Sequence, residues 1–336
     1  MSSRRRFIAS TLAAAALLGG RTSRAQPAVE RHFVIGAGPV GGTYFPVAGL
    51  IATAISNPPG GRPCDAGGNC GVPGLVADVL ATQGSVENLR KIGDGSMDSG
   101  LAQADVAAAA YRGEDAFADR ALPGLRAMAN LFPETVHVVI RRGTAESIAD
   151  LRGRTVSLGE RESGGLSVAQ RLLSAFGVGR RDIDALYLSP QAASARLREG
   201  TIDSFIMIAG QPAPLLSAMA QHSPIDLLPV PTAIVERMRQ TQPWLTEATI
   251  AAGLYDGIDA RPSMSVNAQW LVAGHVEPDI VYGNLRALFH PAMRGRLDRG
   301  HPSAAAIRLE TATEGLSVPL HAGATRFYKE RGLIKD

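Results

Sequence analysis

From His32 onward the chain alternates short apolar runs with stretches whose apolar residues recur at helical spacing. Buried strands alternating with covering helices give that pattern, so the fold class expected is α/β. Phe33 to Ile35 reads as a strand, Tyr44 to Ile55 as a helix and Leu75 to Ala81 as a strand; a helix from Ser85 to Ile92, a strand at Leu101 and a helix from Asp105 follow. The second stretch repeats the style, with strands at Val156 to Leu158 and Phe205 to Ile208 and helices at Leu166 to Phe176 and Ala192 to Arg198. The last part reads as helical, with Asp279 to Phe289 and Ala322 to Arg331 its clearest members.

One parallel is more specific than any propensity. Leu89-Arg90 followed by Gly95-Ser96-Met97-Asp98-Ser99 resembles Leu197-Arg198 followed by Gly200-Thr201-Ile202-Asp203-Ser204, and an apolar strand comes next in both. In each copy a helix ends near a glycine able to take the left-handed conformation, and an Asp-Ser turn feeds a buried strand. Each strand then reaches a polar turn that opens a helix, Gln103-Ala104-Asp105 in one copy and Gly210-Gln211-Pro212 in the other. Ligands of open α/β sheets sit at such carboxyl ends, beside helix amino ends. The repeat implies two lobes facing one cleft.

The amino end has its own grammar: Arg4, Arg5 and Arg6, an apolar run from Phe7 to Leu18, then Ser23-Arg24-Ala25. This is the pattern of a signal peptide, with cleavage expected after Ala25, and Ser3-Arg4-Arg5-Arg6-Phe7-Ile8 resembles a twin-arginine export signal. The apolar run is too short to stay as a membrane anchor. Residues 1–25 contain five arginines and no acids, so without them the formal net charge falls from +3 to −2. A mature chain without a basic stripe has no electrostatic footprint for nucleic acid or anionic lipid. In an exported chain the only two cysteines, Cys64 and Cys70, read as a disulfide closing a small loop. Asp65 and Asn69 are poor zinc ligands and no histidine is near in sequence, so no metal is expected.

Ile35-Gly36-Ala37-Gly38-Pro39-Val40-Gly41 fits GxGxxG directly after a strand, the place of a dinucleotide fingerprint. The second strand ending in a ribose-gripping acid is missing, however, and Asn57 to Gly71 is a Gly/Pro loop instead. An exported cofactor oxidoreductase is therefore the alternative reading. No GxSxG elbow occurs and no acid pair stands out. His137 lies in the apolar strand Val136 to Ile140 and reads as structural, while His290, His301 and His321 read as belonging to surface helices and loops. What remains is a set of helix starts rich in small polar residues: Thr43 and Tyr44, Ser85, and Ser163-Gly164-Gly165. Unpaired N–H groups at several helix starts converging on one cleft make a site for a carboxylate, although each Ser or Thr could simply cap its own helix.

These residues resemble a known family. Gly41-Gly42-Thr43-Tyr44-Phe45-Pro46-Val47-Ala48-Gly49, Gly84-Ser85-Val86-Glu87-Asn88-Leu89-Arg90 and Leu101-Ala102-Gln103-Ala104-Asp105 look like the TAXI solute receptors of TRAP transporters. The likeness continues through 131–140, 147–157, 319–324 and 327–330. It implies a periplasmic binding protein of type II-like architecture, with no catalysis and no cofactor. Two α/β lobes joined by crossing strands would close on a small carboxylate or amino acid, such as glutamate or 2-oxoglutarate, for delivery to a TRAP permease. The lobes expected are 32–133 with 255–336, and 134–254, in a monomer. The expected site takes Thr43, Tyr44, Ser85, Asn88 and Gln103 from the first lobe and Arg161, Ser163, Gly164, Gly165, Gly210 and Gln211 from the second. Glu162-Ser163-Gly164-Gly165 stands where the family usually has Gly-Ser-Gly-Thr, and Arg161 before it is unusual. A periplasmic sensor that passes a bound solute's signal to a histidine kinase would share this fold.

Overall fold

The computed structural model describes residues 30–335, so the signal segment expected at 1–25 lies outside the described residues. Along the chain come β1 (Arg31–Gly36), α1 (Tyr44–Ile55), the short strands β2 (Ser56–Asn57) and β3 (Val72–Pro73), then β4 (Leu75–Leu80). α2 (Ser85–Gly93), β5 (Ser99–Gln103) and α3 (Ala104–Arg112) follow, and a long strand, β6 (Leu125–Arg141), leads away. The next stretch holds β7 (Thr155–Ser157), α4 (Gly165–Ala175), β8 (Asp184–Leu186), α5 (Pro190–Glu199), β9 (Ser204–Ala209) and α6 (Pro214–His222). It continues with β10 (Ile225–Leu227), α7 (Thr232–Arg239) and β11 (Thr246–Ile250). A second long strand, β12 (Arg261–Ala273), precedes α8 (Pro278–Leu288), α9 (Pro291–Gly300), α10 (Pro302–Ala305) and α11 (Ala322–Glu330).

β6 and β12 run antiparallel from Ser265 opposite Thr135 to Ala273 opposite Leu125, and they tie both halves into one sheet of order β4-β1-β5-β12-β6-β9-β7-β8. β4, β1 and β5 are parallel on one side, and β9, β7 and β8 are parallel on the other. One buried cluster takes residues between Phe33 and Phe132 together with Ala268 to Tyr328. Two others cover the faces of the second half, built around Val138, Leu172 and Val235 and around Leu197, Phe205 and Tyr255. Met264 and Val266 still pack in the second half while Ala268 and Trp270 pack in the first, so β12 passes between cores at Asn267.

The doubled unit has a physical content. Gly95 and Gly200 both take positive φ, +82° and +76°. Without a Cβ this costs a glycine little, and each lets a helix turn back into its strand. Asp98 then accepts the Val34 N–H at 2.7 Å, and Asp203 accepts the Thr155 N–H at 2.9 Å. In each half one carboxylate fastens the turn before a strand to the parallel strand beside it. Registering β5 against β1, and β9 against β7, sends both carboxyl ends toward the same crossing strands. α2 lies across the first of these ends as its sequence requires: Ser85, Val86, Asn88, Leu89 and Ile92 form its buried stripe, and Arg90 and Lys91 stay outside.

Candidate functional site

Between the halves is a cavity of about 90 Å³. The first half contributes the amino end of α1 (Thr43, Tyr44), the loop into α2 (Gln83, Gly84, Ser85) and Gln103 at the end of β5. The second half contributes Gly159, Glu160, Ser163, Gly164 and Gly165 before and at the start of α4, with Ile206 to Ile208 of β9 and Pro190. Glu134, on the crossing strand β6, joins them.

Glu134 and Tyr44 are both buried, and the Tyr44 hydroxyl donates to Glu134 Oε2 at 2.6 Å. Ser85 Oγ, on the same side of the cleft, accepts the Gln103 backbone N–H at 3.1 Å. Burial pushes the Glu134 carboxyl up to about 8, against the pull of hydrogen bonds from Tyr44 and Gln103. Near neutral pH Glu134 is therefore mostly protonated. Burial first, and then the facing carboxyl, hold the Tyr44 phenol well above its ordinary value. The Gln103 side-chain oxygen is buried without a partner and points at Gly164, where a Cβ would stand 2.5 Å from both Gln103 Oε1 and Ser85 Oγ. Only a glycine lets α4 approach this closely.

Of the residues singled out in the sequence, Thr43, Tyr44, Ser85, Gln103, Ser163, Gly164 and Gly165 come together in the cleft. Four do not. Asn88 is wholly buried beneath it, donating to the Ala37 and Leu101 carbonyls at 2.6 and 2.7 Å and accepting from Thr82 at 2.8 Å. Arg161 is exposed and lies over the Tyr187 ring at 3.9 Å, so it lends the cleft no charge. Gly210 donates its N–H to Thr43 Oγ1 at 3.1 Å. Gln211 bonds Thr135 at 2.7 Å beside a separate small cavity bounded by Pro302 and Ser303. The sequence reading missed Glu134, although an acid inside the apolar run Leu131 to Ile140 was a signal.

The glycine-rich loop after β1 is filled from within. A Cβ at Gly36 would meet Asn88 at 2.6 Å, and one at Gly41 would meet the Gln191 side chain. β4, the strand beside β1, ends in Leu80, not an acid. His137 is buried, its Nε2 is hydrogen-bonded to the Tyr255 hydroxyl at 3.0 Å, and burial lowers its pKa to about 4. His301 and His321 are buried, contrary to the surface placement expected for them, and with His290 they cap α10, α11 and α9 through Nδ1. Cys64 and Cys70 form a disulfide. No histidine is near the pair in sequence, but the fold brings His290 within 4.8 Å of both sulfurs. Sulfurs joined to each other are not thiolate ligands, so the three do not make a metal site. Among the described residues no helix is long and apolar enough to cross a membrane.

The family model described as NMT1-like matches residues 35–332, and the chain belongs to that family. Its fold is similar to that of PhnD1 from Prochlorococcus marinus (MIT 9301), solved in complex with methylphosphonate, at 11% identity over 92% of this chain and 100% of that one, with a TM-score of 0.53. A protein of Bordetella bronchiseptica RB50 matches at 13% identity over 90% and 98%, with a TM-score of 0.51. The alkanesulfonate-binding protein SsuA from Xanthomonas axonopodis pv. citri, bound to MOPS, matches at 19% over 92% and 96%, with a TM-score of 0.49. The fold is thus the two-lobed α/β fold of periplasmic binding proteins.

Proposed function

We propose that this member of the NMT1-like family is an exported solute receptor that takes an amino acid or small carboxylate between its lobes and passes it to a membrane transporter without changing it. The observation that carries the reading is the cleft itself. Three strand or helix ends of one lobe meet the amino end of α4 from the other around a small cavity at the crossing strands. Backbone N–H groups at the start of α4 suit a carboxylate. Among the described residues the cavity lining has two carboxyls, Glu134 and Glu160, and no lysine or arginine. With Glu134 held neutral, an amino acid whose ammonium donates to the free Gln103 oxygen and to a Glu134 carboxyl oxygen fits this lining, whereas a dianion such as 2-oxoglutarate would meet no cationic side chain in it. Each hydrogen bond to a charged group contributes about 1.5–3 kcal/mol, roughly ten- to a hundredfold in affinity.

A permease of the TRAP type follows from the resemblance to TAXI receptors, and delivery to that partner rests on the resemblance alone. On the same reading, lobe one is 32–133, and the return crossing shifts from 255 to 267 because Tyr255, Ile258 and Met264 pack with lobe two. Export with cleavage after Ala25 is checked by the mass of protein recovered from the periplasm. The solute is checked by a thermal-shift screen of amino acids, organic acids, phosphonates and sulfonates. Calorimetric titration of Tyr44→Ala and Gln103→Ala then follows with the best hit. Stabilisation only by a phosphonate or sulfonate, or parental affinity in both variants, would defeat the reading.

A further inference from the structure

The unusual pair before the α4 start, Arg161-Glu162, does not serve the cavity: neither side chain lines it. Arg161 turns to Tyr187, and Glu162 turns to the other lobe. The Glu162 carbonyl accepts the Val86 and Glu87 N–H groups at 3.1 and 3.3 Å, satisfying two of the unpaired donors at the amino end of α2. Its own N–H reaches Gln83 Oε1 at 3.3 Å, and its carboxylate forms an ion pair with Arg90 one turn further along α2. Arg90 is itself held in place by the Ala116 carbonyl at 3.0 Å and the Phe117 ring. One residue thus spans the lobes with main chain and side chain together.

We propose that Glu162 is a positioning residue, a clasp that docks the amino end of α4 on α2 and so sets Ser163, Gly164 and Gly165 against Ser85 and Gln103. The clasp rests on the receptor reading only in what it closes upon. A second contact acts on the same rim, since Arg171 of α4 pairs with Asp115 at 2.5 Å and faces Asp105 at 3.9 Å across the same division. Two separate salt-sensitive contacts on one side of the cleft make that side the latch, with β6 and β12 as the hinge on the other. A partly exposed ion pair shifts a two-state ratio by up to about fivefold, so either contact alone tunes closure without dictating it.

The test uses the whole mature protein with no solute added, read by small-angle X-ray scattering at low and high salt. Arg90→Glu places two carboxylates face to face and should enlarge the radius of gyration, with circular dichroism unchanged. Arg90→Glu combined with Glu162→Arg should restore the parent value, and high salt should move the parent toward the single variant. The clasp is refuted if Arg90→Glu scatters like the parent, if the swap fails to compact it again, or if the parent itself fits only a wider separation of lobes. A screen that finds no solute would sink the receptor reading and leave this result standing.

Discussion

Glu134→Gln is the perturbation with the largest calculable effect. The carboxyl titrates near 4.5 in an unfolded chain and at about 8 in the folded protein, because burial disfavours its ionised form. Between these values the folded state holds a proton that the unfolded state has released. Stability therefore falls as pH rises: the loss begins near 4.5, grows by about 1.4 kcal/mol per pH unit and is complete above about 8. The full cost is on the order of 5 kcal/mol, and relaxation around a buried charge will reduce it. Glutamine keeps an acceptor for the Tyr44 hydroxyl but cannot ionise. Parent and variant should have similar stability at pH 4.5, and the variant should be the more stable by about 2–5 kcal/mol at pH 9. Asp105, lifted to about 6 by burial, imposes its own slope below that pH, but on both proteins equally. The assay is urea unfolding of each protein at pH 4.5, 7 and 9, compared as a difference at each pH. Parallel pH profiles would refute the reasoning, because they would mean that Glu134 is solvated or already ionised in the fold.

Other outcomes follow from single contacts. Asn88→Ala should lower stability by about 2–4 kcal/mol in the same assay, since it leaves two buried carbonyls and the Thr82 hydroxyl without their partner; a loss of solute affinity without a loss of stability would return Asn88 to the cleft. Gly164→Ala puts a methyl 2.5 Å from Ser85 and Gln103 and should weaken solute binding at least tenfold in calorimetry while leaving the melting temperature within a few degrees. Reducing Cys64–Cys70 should add two hydrogens by mass and lower stability by no more than about 2 kcal/mol, because the closed loop is short. Free thiols in protein recovered from the periplasm would contradict the bridge.

What the sequence made legible was local. Apolar spacing of period two or 3.6 fixes which residues face a core, and the positions of α1, α2, β5 and β9 follow from it. The Asp-Ser turns were readable for the same reason, since Asp98 and Asp203 act within one supersecondary unit. The site was legible only as far as helix starts reach. Ser85 and Asn88 share a helix face, so spacing sends both to one place; but that face lies on the sheet, and only its first turn overhangs the strand end, which leaves Ser85 in the cavity and Asn88 beneath it. The histidine caps could have been read, because His290 and His301 each precede a proline that suits the first turn of a helix. Arg161 could not, because the partner that draws its charge away, Tyr187, belongs to another element. Glu134 sits between these cases. An acid amid Leu131, Phe132, Val136 and Val138 must either reach water or be held neutral by its neighbours, and that dilemma was visible in the sequence. Its resolution was not, because it depends on Tyr44 arriving from α1 and Gln103 from β5, a meeting that only the antiparallel docking of β12 between β5 and β6 brings about.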